Sequence, residues 1–339
     1  MKKVFLFLMV ALVCASCNNK PAGEIQKKGS SGKTLEMLVV ADQEVYRGEA
    51  KALIDSIFGS VQPCLPVPES RFDIVNIPMS SYQNTEMFKV HRNVVLLDVR
   101  SDNPDKVYKH IDEYAAPQVI FDFAAKNRES LCQMLRQHSE MMLDEMYKAE
   151  HRRVIKAFKG MEGPALNKQV KDKFGFGLMF SNEFAWAKEA DDFAWVRKEA
   201  KDFGIGLLID VMPYENQNVF EEMKILDHID TIMKRHVPAS APDSYTGIER
   251  RRSESGEYLA EILSRNVDFN GSEYAVETRG CWRSFGDHMG GPFVAYTILS
   301  PDKKKVVTLM GYVYCPRNKP WTKRDLLMQM ESVCWSLEW

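Results

Sequence analysis

The chain has 339 residues, of which 45% are hydrophobic and 27% charged, and its formal net charge is −2. This is an ordinary globular composition with enough core for one large domain or two lobes. It supplies no strongly basic face for nucleic acid, and no internal repeat of solenoid period is visible.

The N-terminus carries the clearest signal. Lys2 and Lys3 precede an apolar run from Val4 to Val13, long enough for a signal peptide and far short of the roughly 20 residues that span a bilayer. Next comes Cys14-Ala15-Ser16-Cys17, in which small residues ahead of a cysteine resemble a bacterial lipobox. Bulky Val13 makes Cys14 a poor acceptor, so residues 1–16 are expected to be the signal peptide and Cys17 the lipid attachment site. A plain secretory signal cleaved nearby is the alternative. Each buried methylene of an acyl chain contributes about 0.8 kcal/mol, so two or more chains would hold the protein on a membrane without a spanning helix. Residues 17–33 are polar and rich in Gly, Ser and Lys, which predicts a flexible tether. No acidic run follows Cys17, so the expected location is the cell envelope, anchored by lipid in the outer membrane and facing the periplasm.

Residues 34–160 read as an N-terminal lobe in which strands and helices alternate, an α/β layer. Apolar runs at Leu35–Val40, Phe72–Ile77, Asn93–Val99 and Gln118–Phe123 predict strands; Arg47–Phe58 has apolar residues at helical spacing. Strand order cannot be read from such runs. A long helix is predicted from Asn127 to about Phe158, with Leu131, Leu135, His138, Met142 and Met146 on one stripe. Met stripes can line binding grooves, but core packing is the simpler expectation. His151-Arg152-Arg153, near the helix end, suit its dipole and solvent.

Residues 161–339 read as an α+β lobe, an antiparallel sheet covered by helices. After a helix at Ala165–Phe174, a meander runs through Trp186 and Trp195, with Asp191-Asp192 as turn residues. Asp210 lies in an apolar run, which predicts an edge strand facing water. Gln217–His236 is an amphipathic helix with Val219, Met223, Leu226, Ile229 and Met233 inward. The polar stretch His236–Glu257 predicts a long loop. Strands follow at Glu273–Arg283, Phe293–Leu299 and Val306–Val313, the last two as a hairpin. A closing helix contributes Leu326, Leu327, Met330, Val333, Cys334 and Leu337 to the core. Cys281 and Cys315 could face each other across neighbouring strands.

Strand alternation puts Tyr274, Val276, Gly280 and Trp282 on one face and Glu277, Arg279 and Arg283 on the other. With Asp287 and His288 on the following glycine loop, these polar residues could form a cleft for an anionic or sugar-like ligand, or a salt-bridged sheet face. No phosphate loop, zinc spacing or nucleophile elbow is present, so no cofactor or metal is expected.

Several segments resemble one family. The lipobox, EMLVVADQEVYRGE, FAWVRKE and TRGCW…MGGPFVAYTIL…GYVYCP are similar to the domain of unknown function family 4837. The resemblance extends over essentially the whole mature chain and implies a predicted lipoprotein of Bacteroidetes-type bacteria, with no assigned activity or catalytic residues. Two functional readings follow. One is a non-enzymatic envelope lipoprotein whose partner is an unknown envelope protein or small ligand. The other is an envelope hydrolase acting on glycan or peptide, with acid/base residues Glu277, Asp287 and His288 near the 277–291 loop.

Overall fold

A computed structural model describes residues 27–239, 241–316 and 321–339. The expected signal peptide, Cys17 and the first part of the tether lie outside the described residues. The protein is a mixed α/β structure with two sheets. The first contains β1 (Glu36–Val40), β2 (Asp73–Ile77), β3 (Asn93–Val99), β4 (Lys106–Ile111) and β5 (Val119–Ala125), in the order β2-β1-β3-β5-β4. Its centre is parallel because the strands are apolar on both faces: Val39, Val95 and Phe121 enter one core, Leu38, Val94 and Ile120 another. β4 pairs antiparallel with β5 at the edge. Its sequence, KVYKHI, is too polar to signal a strand.

The helices of the first lobe are α1 (Glu49–Ile57), α2 (Met79–Asn84), α3 (Glu86–Lys89) and α4 (Arg128–Gly160). Asn127 caps α4 by accepting from the Ser130 backbone N–H, with the reciprocal bond from Asn127 N–H to Ser130 Oγ. Leu131, Leu135, Met142 and Met146 are all buried in the first core, so the Met stripe is core packing. Further along, Phe158 joins the core of the second sheet, with Val154 packed against both cores. Of the basic trio expected in solvent, only Arg152 is exposed. His151 and Arg153 are each 8% exposed, because the second lobe and the docked N-terminal segment cover this part of the helix.

The expected tether ends earlier than Lys33. The Lys28 carbonyl accepts from Ala116 N–H, and Ser31 bridges to His91 alongside β3. Backbone groups at the start of β3 and before β5 are thus satisfied by the chain's own leader.

The second sheet is antiparallel and consists of β6 (Ala185–Ala190), β7 (Phe193–Glu199), β8 (Gly204–Pro213), β9 (Tyr245–Ile248), β10 (Leu263–Asn266), β11 (Ala275–Phe285), β12 (Gly290–Leu299) and β13 (Lys305–Tyr314). Its order is β10-β11-β12-β13-β8-β7-β6, with β9 also pairing β11. The helices here are α5 (Pro164–Phe174), α6 (Glu222–His236) and α7 (Lys323–Trp335). Along β13, Val307, Leu309 and Val313 enter the core shared with α5 and α7, while Val306 and Met310 enter the core against α6. Gly311 lets α7 descend onto the sheet, since a Cβ there would lie 2.6 Å from Met330 Cβ.

Four expectations are corrected. β8 lies between β7 and β13, so Asp210 is not on an edge; its carboxylate meets His228 Nε2 at 2.9 Å. The predicted 236–257 loop contains β9, whose partner β11 is distant in sequence. Met223 is 49% exposed, and Ile225 and Ile232 fill the inward positions of α6. Cys281 and Cys315 do not pair, because β12 separates β11 from β13, and no disulfide joins any of the five described cysteines.

Trp282 organises the β11–β13 unit. It sits opposite Gly291 on β12 and reaches across that glycine to donate from Nε1 to the Val313 carbonyl on β13, at 3.1 Å. A Cβ on Gly291 would lie 2.0 Å from the same carbonyl oxygen. Trp282 is 5% exposed. Trp282→Ala should therefore cost about 3–5 kcal/mol by urea denaturation, whereas Arg283→Ala, which removes one of two arginines paired with buried Glu249, should cost less, about 1–2 kcal/mol. Equal midpoints for the two variants would contradict the packing role.

Candidate functional site

A cavity of about 670 Å³ lies between the lobes. One wall is α4, through Tyr147, Lys148 and His151. A second is the segment before β2, through Gln62 and Arg71. The floor comes from β10, β11, β12 and α7, through Arg265, Glu277, Arg279, Tyr296, Glu331 and Trp335.

The floor is a buried charge network. Glu277 and Arg279 are two residues apart on β11 and so project from the same face. Glu277 Oε1 accepts from Arg279 Nε and Arg265 Nε, both at 2.9 Å. Its Oε2 accepts from Arg279 Nη2 at 3.2 Å and from the Tyr296 hydroxyl at 3.0 Å. Arg279 Nη1 continues to Glu331 Oε1 on α7 at 2.8 Å. Trp335 Nε1 donates to the Tyr296 oxygen at 3.1 Å, which closes the ring of contacts.

Burial acts to raise the Glu277 carboxyl, but the Arg279 and Arg265 guanidinium groups outweigh it and hold it at about 2. Glu277 is therefore ionised, with its roughly four acceptor directions filled. It has neither a proton to donate nor a free lone pair to accept one. On the α4 wall, burial lifts the Tyr147 phenol to about 12, and its hydroxyl donates to Gln62 Oε1 at 3.0 Å.

The five residues singled out from the sequence are split between two places. Glu277 and Arg279 form the inter-lobe floor. Arg283, Asp287 and His288 line a second hollow at the glycine turn, with Glu249 and Glu261. There Arg283 Nη1 pairs with Glu249 Oε2 at 3.0 Å, and the His288 backbone N–H donates to Asp287 Oδ1 at 2.6 Å. Hydrogen bonds with Arg251, then Arg283, outweigh burial and hold the Glu249 carboxyl at about 2. Glu277, Asp287 and His288 thus do not share a cavity, and the acid/base grouping drawn from them is not formed.

The sequence reading missed Arg71, Tyr147, His151, Arg265, Tyr296, Glu331 and Trp335. Two of them carried a usable signal. Glu331 stands four residues after Leu327 and three before Cys334, inside the apolar stripe of α7. His151 falls between Tyr147 and Val154 at the same helical spacing. A polar residue on a buried stripe requires a partner or a cavity.

Residues 164–336 match the model of a family described as Domain of unknown function (DUF4837). Residues 30–159 match another, described as Domain of unknown function (DUF8532). The first match contains the TRGCW and GGPF segments; the EMLVVADQEVYRGE opening falls inside the second. The resemblance expected along the whole mature chain is thus confined to the second sheet and its helices. No curated protein matches the chain.

The network makes stability depend on acid pH in a definite direction. The folded Glu277 pKa, about 2, lies below its ordinary value of 4.5. Its stabilisation is therefore complete above about pH 4.5 and lost as pH falls towards 2. Glu277→Gln should destabilise the protein by about 3–5 kcal/mol near neutrality, since it breaks a buried ion network. The gap from the parent should narrow between pH 4.5 and 2 in thermal melts. A gap that stays constant across that range would refute the assignment.

Proposed function

Since the chain belongs to the DUF4837 family through residues 164–336, whose description names no activity, we propose from the cleft that this is a non-enzymatic binding protein of the cell envelope. A small polar ligand is taken up between the lobes. The observation that carries this reading is the floor itself: a carboxylate with every acceptor direction occupied, beneath a hollow of about 670 Å³. That volume falls within the usual range for small-molecule sites, roughly 300–1,000 Å³. A saturated Glu277 supports fixed recognition, because it has no free lone pair with which to take a proton.

The protein is held at its site of action by lipid on Cys17, in the outer membrane and facing the periplasm. The support is the small Ala15-Ser16 pair ahead of the cysteine after a short apolar run.

Two measurements test these claims. Asp144 is an exposed residue of α4 at the cleft, so Asp144→Trp should obstruct the site at little cost to the fold. Protein purified from its own envelope and examined by native mass spectrometry should carry a small molecule that this variant lacks; equal loading of both proteins would exclude the cleft. Separately, Cys17→Ser should leave the protein soluble or uncleaved. Membrane fractionation of a cleaved Cys17→Ser protein would remove lipid anchoring from the account.

A further inference from the structure

Three side chains of the cleft, His151, Glu331 and Arg71, keep polar groups that no internal bond among the described residues uses. His151 is 8% exposed and lines the cavity. Its Nδ1 lies 3.2 Å from Ser332 Oγ, and Ser332 Oγ also lies 2.6 Å from the Met328 carbonyl. A carbonyl only accepts, so the single serine hydrogen is spent on Met328, and His151 Nδ1 must be the donor to serine. Burial, partly offset by Glu331, keeps the imidazole pKa below its ordinary value. The ring is therefore neutral, and Nε2 is left as a bare acceptor with no partner among the described residues. Glu331 is 5% exposed and gives Oε1 to Arg279; its Oε2 receives no hydrogen bond among the described residues.

The leftover cation is Arg71. It is half-buried, and its side chain makes no ion pair among the described residues; Nε is fully enclosed without a partner. Elsewhere the cleft charges cancel. Glu277 and Glu331 are matched by Arg265 and Arg279, and Lys148 pairs with Asp144 at 2.7 Å. Glu140, the remaining carboxylate, is exposed to water at the mouth. His151 Nε2 and Glu331 Oε2 line the cavity and are not enclosed by protein, so a ligand that displaces water from them must supply donors in its place.

We propose that the ligand is a polyhydroxylated carboxylate of the uronic-acid class, with hydroxyls donating to His151 Nε2 and Glu331 Oε2 and its carboxylate paired with Arg71. This rests on the cleft being the ligand site. Charge decides against a zwitterion: the floor is already neutral, so hydroxyl donors satisfy its acceptors without adding a buried cation, and one negative charge matches Arg71.

The test is titration calorimetry of the full chain with glucuronate, glucose and glycine, together with 15N NMR of the His151 imidazole. Glucuronate should bind at least about tenfold more tightly than glucose, because a charge-assisted bidentate contact is lost with the carboxylate. Arg71→Gln should bring glucuronate down to the glucose level, while Arg71→Lys should retain part of the preference. Melting temperatures establish that both variants fold. On glucuronate binding, the His151 Nε2 resonance should move from a free to a hydrogen-bonded acceptor. Equal affinities for glucuronate and glucose, or a preference that survives Arg71→Gln, would overturn the proposal. If only glycine moves the His151 resonance, the ligand class is wrong and the cleft reading stands. If none of the three does, while the native protein carries a ligand that Asp144→Trp lacks, the ligand class again fails alone. If that loading is absent as well, both readings fall.

Discussion

One buried guanidinium determines how the cleft is built. Arg279 has 9% of its surface exposed and is bonded to Glu277 on its own strand and Glu331 on α7. Removing such a charge from water costs several kcal/mol, and the cost is repaid only if every partner is in place. The requirement fixes α7 against the sheet at one height and one rotation. Gly311 makes that height sterically possible, and Met330 and Val333 fill the space on either side. The apolar contacts alone would tolerate a slide of α7 along the strand; the arginine does not.

The same helix links the two halves. Met328 enters the core of the first sheet, and Arg324 Nη2 reaches Asp73 Oδ2 on β2 at 3.0 Å, while Glu69 accepts from the Lys323 and Arg324 backbone N–H groups. α4 makes the reciprocal connection, starting in the first core and ending in the second. Two sheets that share a pair of helices cannot close completely over both, because the helices hold them apart. The cavity is the space left on the side where α4 faces β10 and β11. Its polar lining follows from the chain that passes there, since Tyr147 packs at the border of the first core and His151 lies between Ala149 of that core and Val154, which touches both.

Much of this was legible in the sequence wherever an element is decided by its own residues. The strands at 93–99 and 305–314, the Met-lined α4 and the core positions of α7 follow from period and burial alone. What could not be read depends on partners remote in sequence. β4 is a strand because β5 offers an edge, β9 because β11 has a free flank, and Asp210 is interior because β13 lies beside β8. The candidate site shows the same limit. Alternation placed Glu277, Arg279 and Arg283 correctly on one face, but a strand of eleven residues extends about 35 Å. Its ends therefore meet different surroundings, the inter-lobe floor near Glu277 and the glycine turn near Arg283.

The docked segment at Lys28–Ser31 has a geometric consequence for how the protein lies on a membrane. If the lipid is on Cys17, ten residues, and so eleven Cα–Cα steps, separate it from Lys28. Covalent geometry limits that leash to at most about 40 Å, whatever path it follows. Because Ser31 bridges to His91 at the beginning of β3, it is this rim of the first sheet that such a leash would keep within reach of the headgroups. On that condition the body would be moored, and a ligand would meet it within a leash length of the bilayer surface.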